Sequence, residues 1–184
     1  MSAATSQALP INRATLSDEV ASWLVRMTPT ETETEARFAV TLTLDVDAMH
    51  RAMRTGIAEK QKQIEFARSS FAEFRWKLDR LILKNAAVKY GRELAYIPVL
   101  EGLGNAARIH YHSVIVVPAR VTCEAMKHSV REAWGRARFG HQQVDVQPLR
   151  DEGWLHYMSK EAWTLRHDAV DIDNVRLSTD PKRC

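Results

Sequence analysis

The sequence predicts an α+β sandwich, an antiparallel sheet with helices packed on it, and three observations carry that prediction. Arg37–Asp45 alternates apolar and polar residues with the period of a strand. The chain from Asp47 to Tyr90 contains a single Gly and no Pro and spaces its apolar residues mostly three and four apart, the period of a helix. Two apolar, β-branched runs, Leu94–Glu101 and Arg108–Val117, are joined by GLGNAA, whose Gly and Asn suit a loop between neighbouring strands.

Each element follows from its own pattern. Residues 1–35 start with small polar residues, include a short amphipathic stretch at Ser17–Met27, and end in Thr30–Glu35, which has no apolar face. They are expected to be a flexible extension with one short helix. In Arg37–Asp45, Phe38, Val40, Leu42 and Leu44 form one side and Ala39, Thr41 and Thr43 the other, the pattern of a half-buried strand. Asp47–Tyr90 reads as one long helix, or as two broken near Thr55–Gly56 or Ser69–Ser70. Leu94–Glu101 and Arg108–Val117 form an antiparallel pair. Val121–Phe139 is a helix stopped by Gly140, and Gln143–Leu149 is a strand whose Pro148 marks an edge or an end. Gly153–Arg166 is the last helix. The resulting order is the βαββαβ plan of ferredoxin-like domains. The functional domain is expected over residues 36–170, with 171–184 as a tail.

Composition narrows the function classes. At 184 residues with 45% hydrophobic content, the chain suits one core. Uninterrupted apolar runs such as Val114–Val117 are far too short to cross a bilayer, and no secretory signal is recognisable, so a cytoplasmic protein without a membrane partner is expected. Two Cys with no CxxC pair argue against a disulfide framework or a cysteine-ligated zinc. Charge is unevenly spread: residues 51–92 carry 11 basic and 4 acidic side chains, against a formal net charge of +3 for the whole chain. Such a block is either a solvated helix face or a footprint for a polyanion.

Two constellations carry chemistry. His110-Tyr111-His112 lies on a strand, where residues two apart share a side and offer two imidazoles to one cation. One HxH among 7 His is unremarkable alone, but Glu101 falls opposite or nearly opposite Ile109–His110 once the hairpin closes, adding a carboxylate. That donor set suits Mg²⁺ or Mn²⁺ acting on a phosphate, Mn²⁺ being the more tolerant of imidazole. In Tyr157-Met158-Ser159-Lys160 a helical spacing of three puts a phenol and an ammonium on one face. A phenolate can keep bond energy in a covalent ester, although a Tyr–Lys pair of this spacing is also a common surface feature.

In order along the chain, FAVTLTLD (Phe38–Asp45), IHYH (Ile109–His112) and YMSK (Tyr157–Lys160) resemble the three motifs of HUH endonucleases, with Glu101 where many members place an acidic third ligand. Similarity is greatest to rolling-circle replication initiators of plasmids and phages, in the run from RWKLDRLILKN through EGLGNAARIHYH to YMSK. The resemblance implies site-specific nicking of single-stranded DNA or an origin hairpin. Glu101, His110 and His112 would hold the metal, Tyr157 would be the single nucleophile, and Lys160 would help orient or neutralise the phosphate. A 5′-phosphotyrosine and a free 3′-OH would result. With no GxxxxGK[ST] loop, unwinding would fall to a host helicase. A transposase or mobilisation relaxase shares the same chemistry, and a non-enzymatic nucleic-acid-binding module on the same plan is the reading of another class.

A nickase partner gives the basic block a use. Arg75, Lys77, Arg80, Lys84 and Lys89 recur along the long helical segment and are candidate phosphate contacts, with Trp154, beside the nucleophile, as a base-stacking platform.

Overall fold

The computed structural model describes residues 13–28, 32–53, 59–103, 108–151, 153–159 and 170–177. Four strands, β1 (Glu35–Leu44), β2 (Ala95–Glu101), β3 (His110–Pro118) and β4 (Gly140–Pro148), form one antiparallel sheet in the order β2-β3-β1-β4. The central pair β1/β3 is therefore flanked by strands that arrive over helical crossovers, the split βαβ arrangement expected for a ferredoxin-like sandwich. The helices are α1 (Arg13–Met27), α2 (Val46–Ala52), α3 (Glu59–Leu83), α4 (Asn85–Tyr90), α5 (Cys123–Gly135) and α6 (Gly153–Ser159).

One sheet face is the main core. Phe71 of α3 packs against Tyr96 and Tyr111, and Phe74 meets the ring of Trp134 from α5, whose indole N–H donates to the Thr43 carbonyl at 2.8 Å. Caps aim the helices: Asp45 accepts from the Ala48 N–H at the start of α2, and Thr122 from the Ala125 N–H at the start of α5. Thr122 rather than Val121 thus marks the entry to α5.

Among the described residues the long helical segment breaks in two places, the first at Met53, whose extended backbone ends α2. Residues 54–58, which contain Thr55–Gly56, lie outside the described residues, between α2 and α3. α3 then runs straight through Ser69 and Ser70 because Ser70 returns its hydroxyl to the Phe66 carbonyl at 2.8 Å and stays compatible with the helix. The second break comes at Lys84, which takes a left-handed φ of 51° and starts α4 in a new direction. No Gly or Pro announces this turn.

The opposite sheet face is also covered. Cross-strand partners point the same way, so Ala39, Thr41 and Thr43 of β1 share this face with Val114, His112 and His110 of β3. α6 lies here, its Trp154 and Tyr157 rings against His112, and α1 packs on α6 with Leu24 fully buried. Ala39 and Thr43 are consequently buried, and β1 is enclosed on both sides rather than half-buried as its alternation predicts. Last, Val170–Arg176 lies along the outer edge of β2. Arg176 and Tyr96 exchange backbone hydrogen bonds, Asp171 N–H donates to the Pro98 carbonyl, and a 3₁₀ turn spans Ile172–Asn174.

Candidate functional site

The site is assembled by register. Glu101 pairs directly with His110 across β2/β3, and His112 pairs with Val99 on one side and Thr41 on the other. Glu101, His110 and His112 therefore project from one face within two residues of one another. Their ligand atoms all lie within 4.8 Å. The two Nε2 atoms stand 3.1 Å apart, and Glu101 Oε2 is 3.4 Å from each. Glu101 and His112 are buried, whereas His110 keeps a quarter of its side chain in solvent and forms the open rim.

Outer contacts select the nitrogen each ring presents. His110 Nδ1 lies 2.8 Å from the Arg108 carbonyl, which can only accept, so Nδ1 carries the proton and Nε2 offers its lone pair. His112 Nδ1 lies 3.0 Å from Thr41 Oγ1, which leaves its Nε2 for the same point. The backbone makes the first contact possible. Gly102 has φ of +83°, and a Cβ there would come 2.5 Å from the Arg108 oxygen. Two imidazole nitrogens and a carboxylate, with both rings oriented by a partner behind them, form a donor set that can hold a divalent metal ion while leaving coordination positions open.

Tyr111, between the two histidines, points the other way. It is fully buried and donates to Asp171 Oδ2 at 2.8 Å, and Asn174 Nδ2 reaches the same oxygen. Burial raises the pKa of both Tyr111 and Asp171. The ligand strand is thus clamped from behind by the 170–176 segment, which ties the sheet edge to α3 through Arg68.

Tyr157 comes to the site from α6. Its ring centroid is 5.2 Å from that of His112, and Trp154 stacks on it at 5.5 Å with an interplanar angle of 22° while meeting the edge of His112 at 5.1 Å. Leu155 and Met158, on the other side of the helix, are buried and hold α6 down. Tyr157 is 46% exposed, so the phenol can be reached by a large substrate. His156 is exposed one residue earlier. Lys160 lies outside the described residues.

The basic block is placed elsewhere. α3 covers the sheet face opposite the histidines, so Arg75, Lys77 and Arg80 do not border the site. Arg75 is engaged by Glu93 at 2.6 Å, Lys77 by Glu73 at 3.1 Å, and the Arg80 guanidinium lies 3.6 Å over the half-exposed ring of Trp76. Lys84 and Lys89 are exposed on the turn into α4 and on α4 itself. Of the residues suggested as DNA contacts, Trp154 alone stands at the site. Thr41 and the Arg108 carbonyl were not identifiable from sequence as partners of the histidines. The signal for Thr41 was its position on the polar side of β1, which becomes meaningful only with the β1/β3 register.

A family model described as replication-associated protein ORF2 matches residues 37–162, a span that includes most of β1, the Glu101–His110–His112 cluster and α6. Neither the curated proteins nor the solved structures contain a match.

Proposed function

The chain belongs to the replication-associated protein ORF2 family, and from that premise we propose that it is an HUH-type nickase and strand transferase for single-stranded DNA that initiates rolling-circle replication. The observation that carries the reading is the seating of an exposed phenol, Tyr157, against His112 on the same sheet face as Glu101 and His110. The chain has 4 Tyr, and this choice is not arbitrary: Tyr96 and Tyr111 are fully buried, and Tyr90 is on α4, across the sheet from the histidines.

Glu101, His110 and His112 would hold Mg²⁺ or Mn²⁺. Bound there, the ion supplies Lewis acidity toward a phosphate oxygen. The Tyr157 hydroxyl attacks phosphorus, the bond from phosphorus to the 3′ oxygen breaks, and the 5′ phosphate remains on the ring as a phosphotyrosine ester. The phenol gives up one proton and the departing 3′ oxygen gains one. Because the ester keeps the bond energy, attack by another 3′-OH rejoins the strand and returns the phenol. Trp154, stacked on Tyr157, restricts the ring to a few orientations and so lowers the entropy cost of in-line attack. Lys160, three residues after Tyr157, is proposed on its spacing to neutralise the phosphate.

The test is mass spectrometry of the full chain after incubation with a random single-stranded DNA pool and Mn²⁺. Wild type should carry a nucleotide adduct on Tyr157 that is missing from Tyr157→Phe and His112→Ala. No adduct together with no Mn²⁺ binding by calorimetry would favour a non-enzymatic nucleic-acid-binding module instead, whereas an adduct on Tyr90 would overturn the assignment of Tyr157 as the nucleophile.

A further inference from the structure

We propose that the cavity beside Trp154 is a nucleobase subsite that selects guanine next to the scissile phosphate. The inference rests on the nickase reading and adds to it the residues that read sequence.

The cavity measures about 310 Å³, and its walls include Ala39, Asp145, Gln147, Leu149, Arg150 and Trp154. Register fixes its distance from the chemistry. Thr41 pairs with His112 on one side and with Asp145 on the other, so Val99, His112, Thr41 and Asp145 form one row across all four strands and face the same way. Two strand spacings put the Asp145 backbone about 10 Å from that of His112. Trp154 bridges the gap, since it lines the cavity and also touches His112 and Tyr157. A base following a phosphate held at Tyr157 would therefore enter here. A flat aromatic wall is what an unstacked base seeks.

The polar groups choose among bases. β4 is a sheet edge, and Asp145 and Gln147 are exposed on it. Gln147 Nε2 donates to Asp145 Oδ1 at 3.0 Å. A carboxylate only accepts, so this bond occupies one lone pair of Oδ1 and orients the Asp145 carboxylate, whose two oxygens remain adjacent acceptors for a pair of neighbouring donors. Guanine is the base whose pairing edge carries adjacent donors, N1–H and N2–H₂. Adenine and cytosine each present an amino group beside a ring acceptor, and thymine presents one N–H between two carbonyls. Arg150, exposed on the rim, supplies a cation for the neighbouring phosphate.

The test titrates the full chain with dGMP, dAMP, dCMP and dTMP in turn and follows the Trp154 indole N–H resonance, assigned by its loss in Trp154→Phe. dGMP should bind about tenfold or more tightly than the others, as expected for a two-bond base contact. Asp145→Asn should remove that preference and leave Mn²⁺ affinity unchanged. Equal responses to all four nucleotides, no response, or a guanine preference that survives Asp145→Asn would overturn the subsite. The two readings are distinguished by outcome: a Tyr157 adduct with no guanine bias beside the joined phosphate keeps the nickase and removes the subsite, whereas dGMP selectivity with neither an adduct nor Mn²⁺ binding removes the nickase and leaves only a guanine-binding pocket.

Discussion

Thr41→Val is the most informative substitution at the candidate metal cluster, because it alters the support of a proposed ligand without touching one. Thr41 Oγ1 lies 3.0 Å from His112 Nδ1, and the two residues are direct cross-strand partners. Valine has the same branched shape and equal or better strand preference, so β1 keeps its packing while the ring loses its partner. A neutral hydrogen bond is worth about 0.5–1.5 kcal/mol net, or roughly 2- to 13-fold in affinity. Partners of metal-bound histidines typically cost about 10- to 100-fold when removed, because orientation is lost as well. Here the hydroxyl is neutral and His112 is also gripped by Trp154 and Tyr157, which limits rotation. About a tenfold loss of Mn²⁺ affinity is therefore expected, measured by calorimetry.

Thr43→Val is the matched control. Thr43 pairs with His110, yet that ring takes its contact from the Arg108 carbonyl, which no side-chain change removes. Its Mn²⁺ affinity should stay within about twofold of wild type, a difference of about 0.4 kcal/mol. Equal affinities for wild type and Thr41→Val, or equal losses in both variants, would refute the idea that the hydroxyl directs His112 Nε2 to the ion.

Two further predictions concern the frame that holds the site. Asp79 is buried, accepts from the Leu94 N–H and the Tyr96 hydroxyl through the same oxygen, and has a pKa pushed up to about 6, chiefly by burial. Since the folded state then holds this proton more tightly than the unfolded one, its contribution is greatest below about pH 4 and is lost as pH rises through 6. Asp79→Asn keeps the accepting oxygen and does not titrate, so urea denaturation should find it gaining up to about 3 kcal/mol on wild type between pH 4 and pH 7; a gap independent of pH would contradict this. Gly140→Ala should destabilise by about 3 kcal/mol, or roughly 6–12 °C of Tm, because a Cβ at Gly140 would sit 1.9 Å from the Trp134 carbonyl oxygen. A Tm within about 2 °C of wild type would mean that β4 begins differently, and with it the placement of Asp145.

Much of the architecture is written locally. Alternation in β1 and in the two runs flanking GLGNAA is a property of neighbouring residues, and it sufficed for the antiparallel hairpin and for the pairing of Glu101 with His110. Two histidines two apart must share a side once they lie on a strand. The same reasoning placed Tyr157 on a helix, and its separation from the histidines in sequence carried no information about distance in space. The turn at Lys84 was invisible because a left-handed lysine leaves no compositional mark.

By itself, then, the sequence determined the order of elements, the strand that carries HYH and the carboxylate that faces it, since period and register are short-range consequences of backbone geometry. Only the tertiary structure decided which layer each helix joins. Folding α6 and α1 onto the Thr41 face brought Tyr157 and Trp154 to His112. Burying Phe71 and Phe74 of α3 against the other face carried Arg75, Lys77 and Arg80 away from it. A basic residue reads alike on either side of a sheet; the side it occupies is settled by apolar surfaces distant in sequence that must be buried against one another.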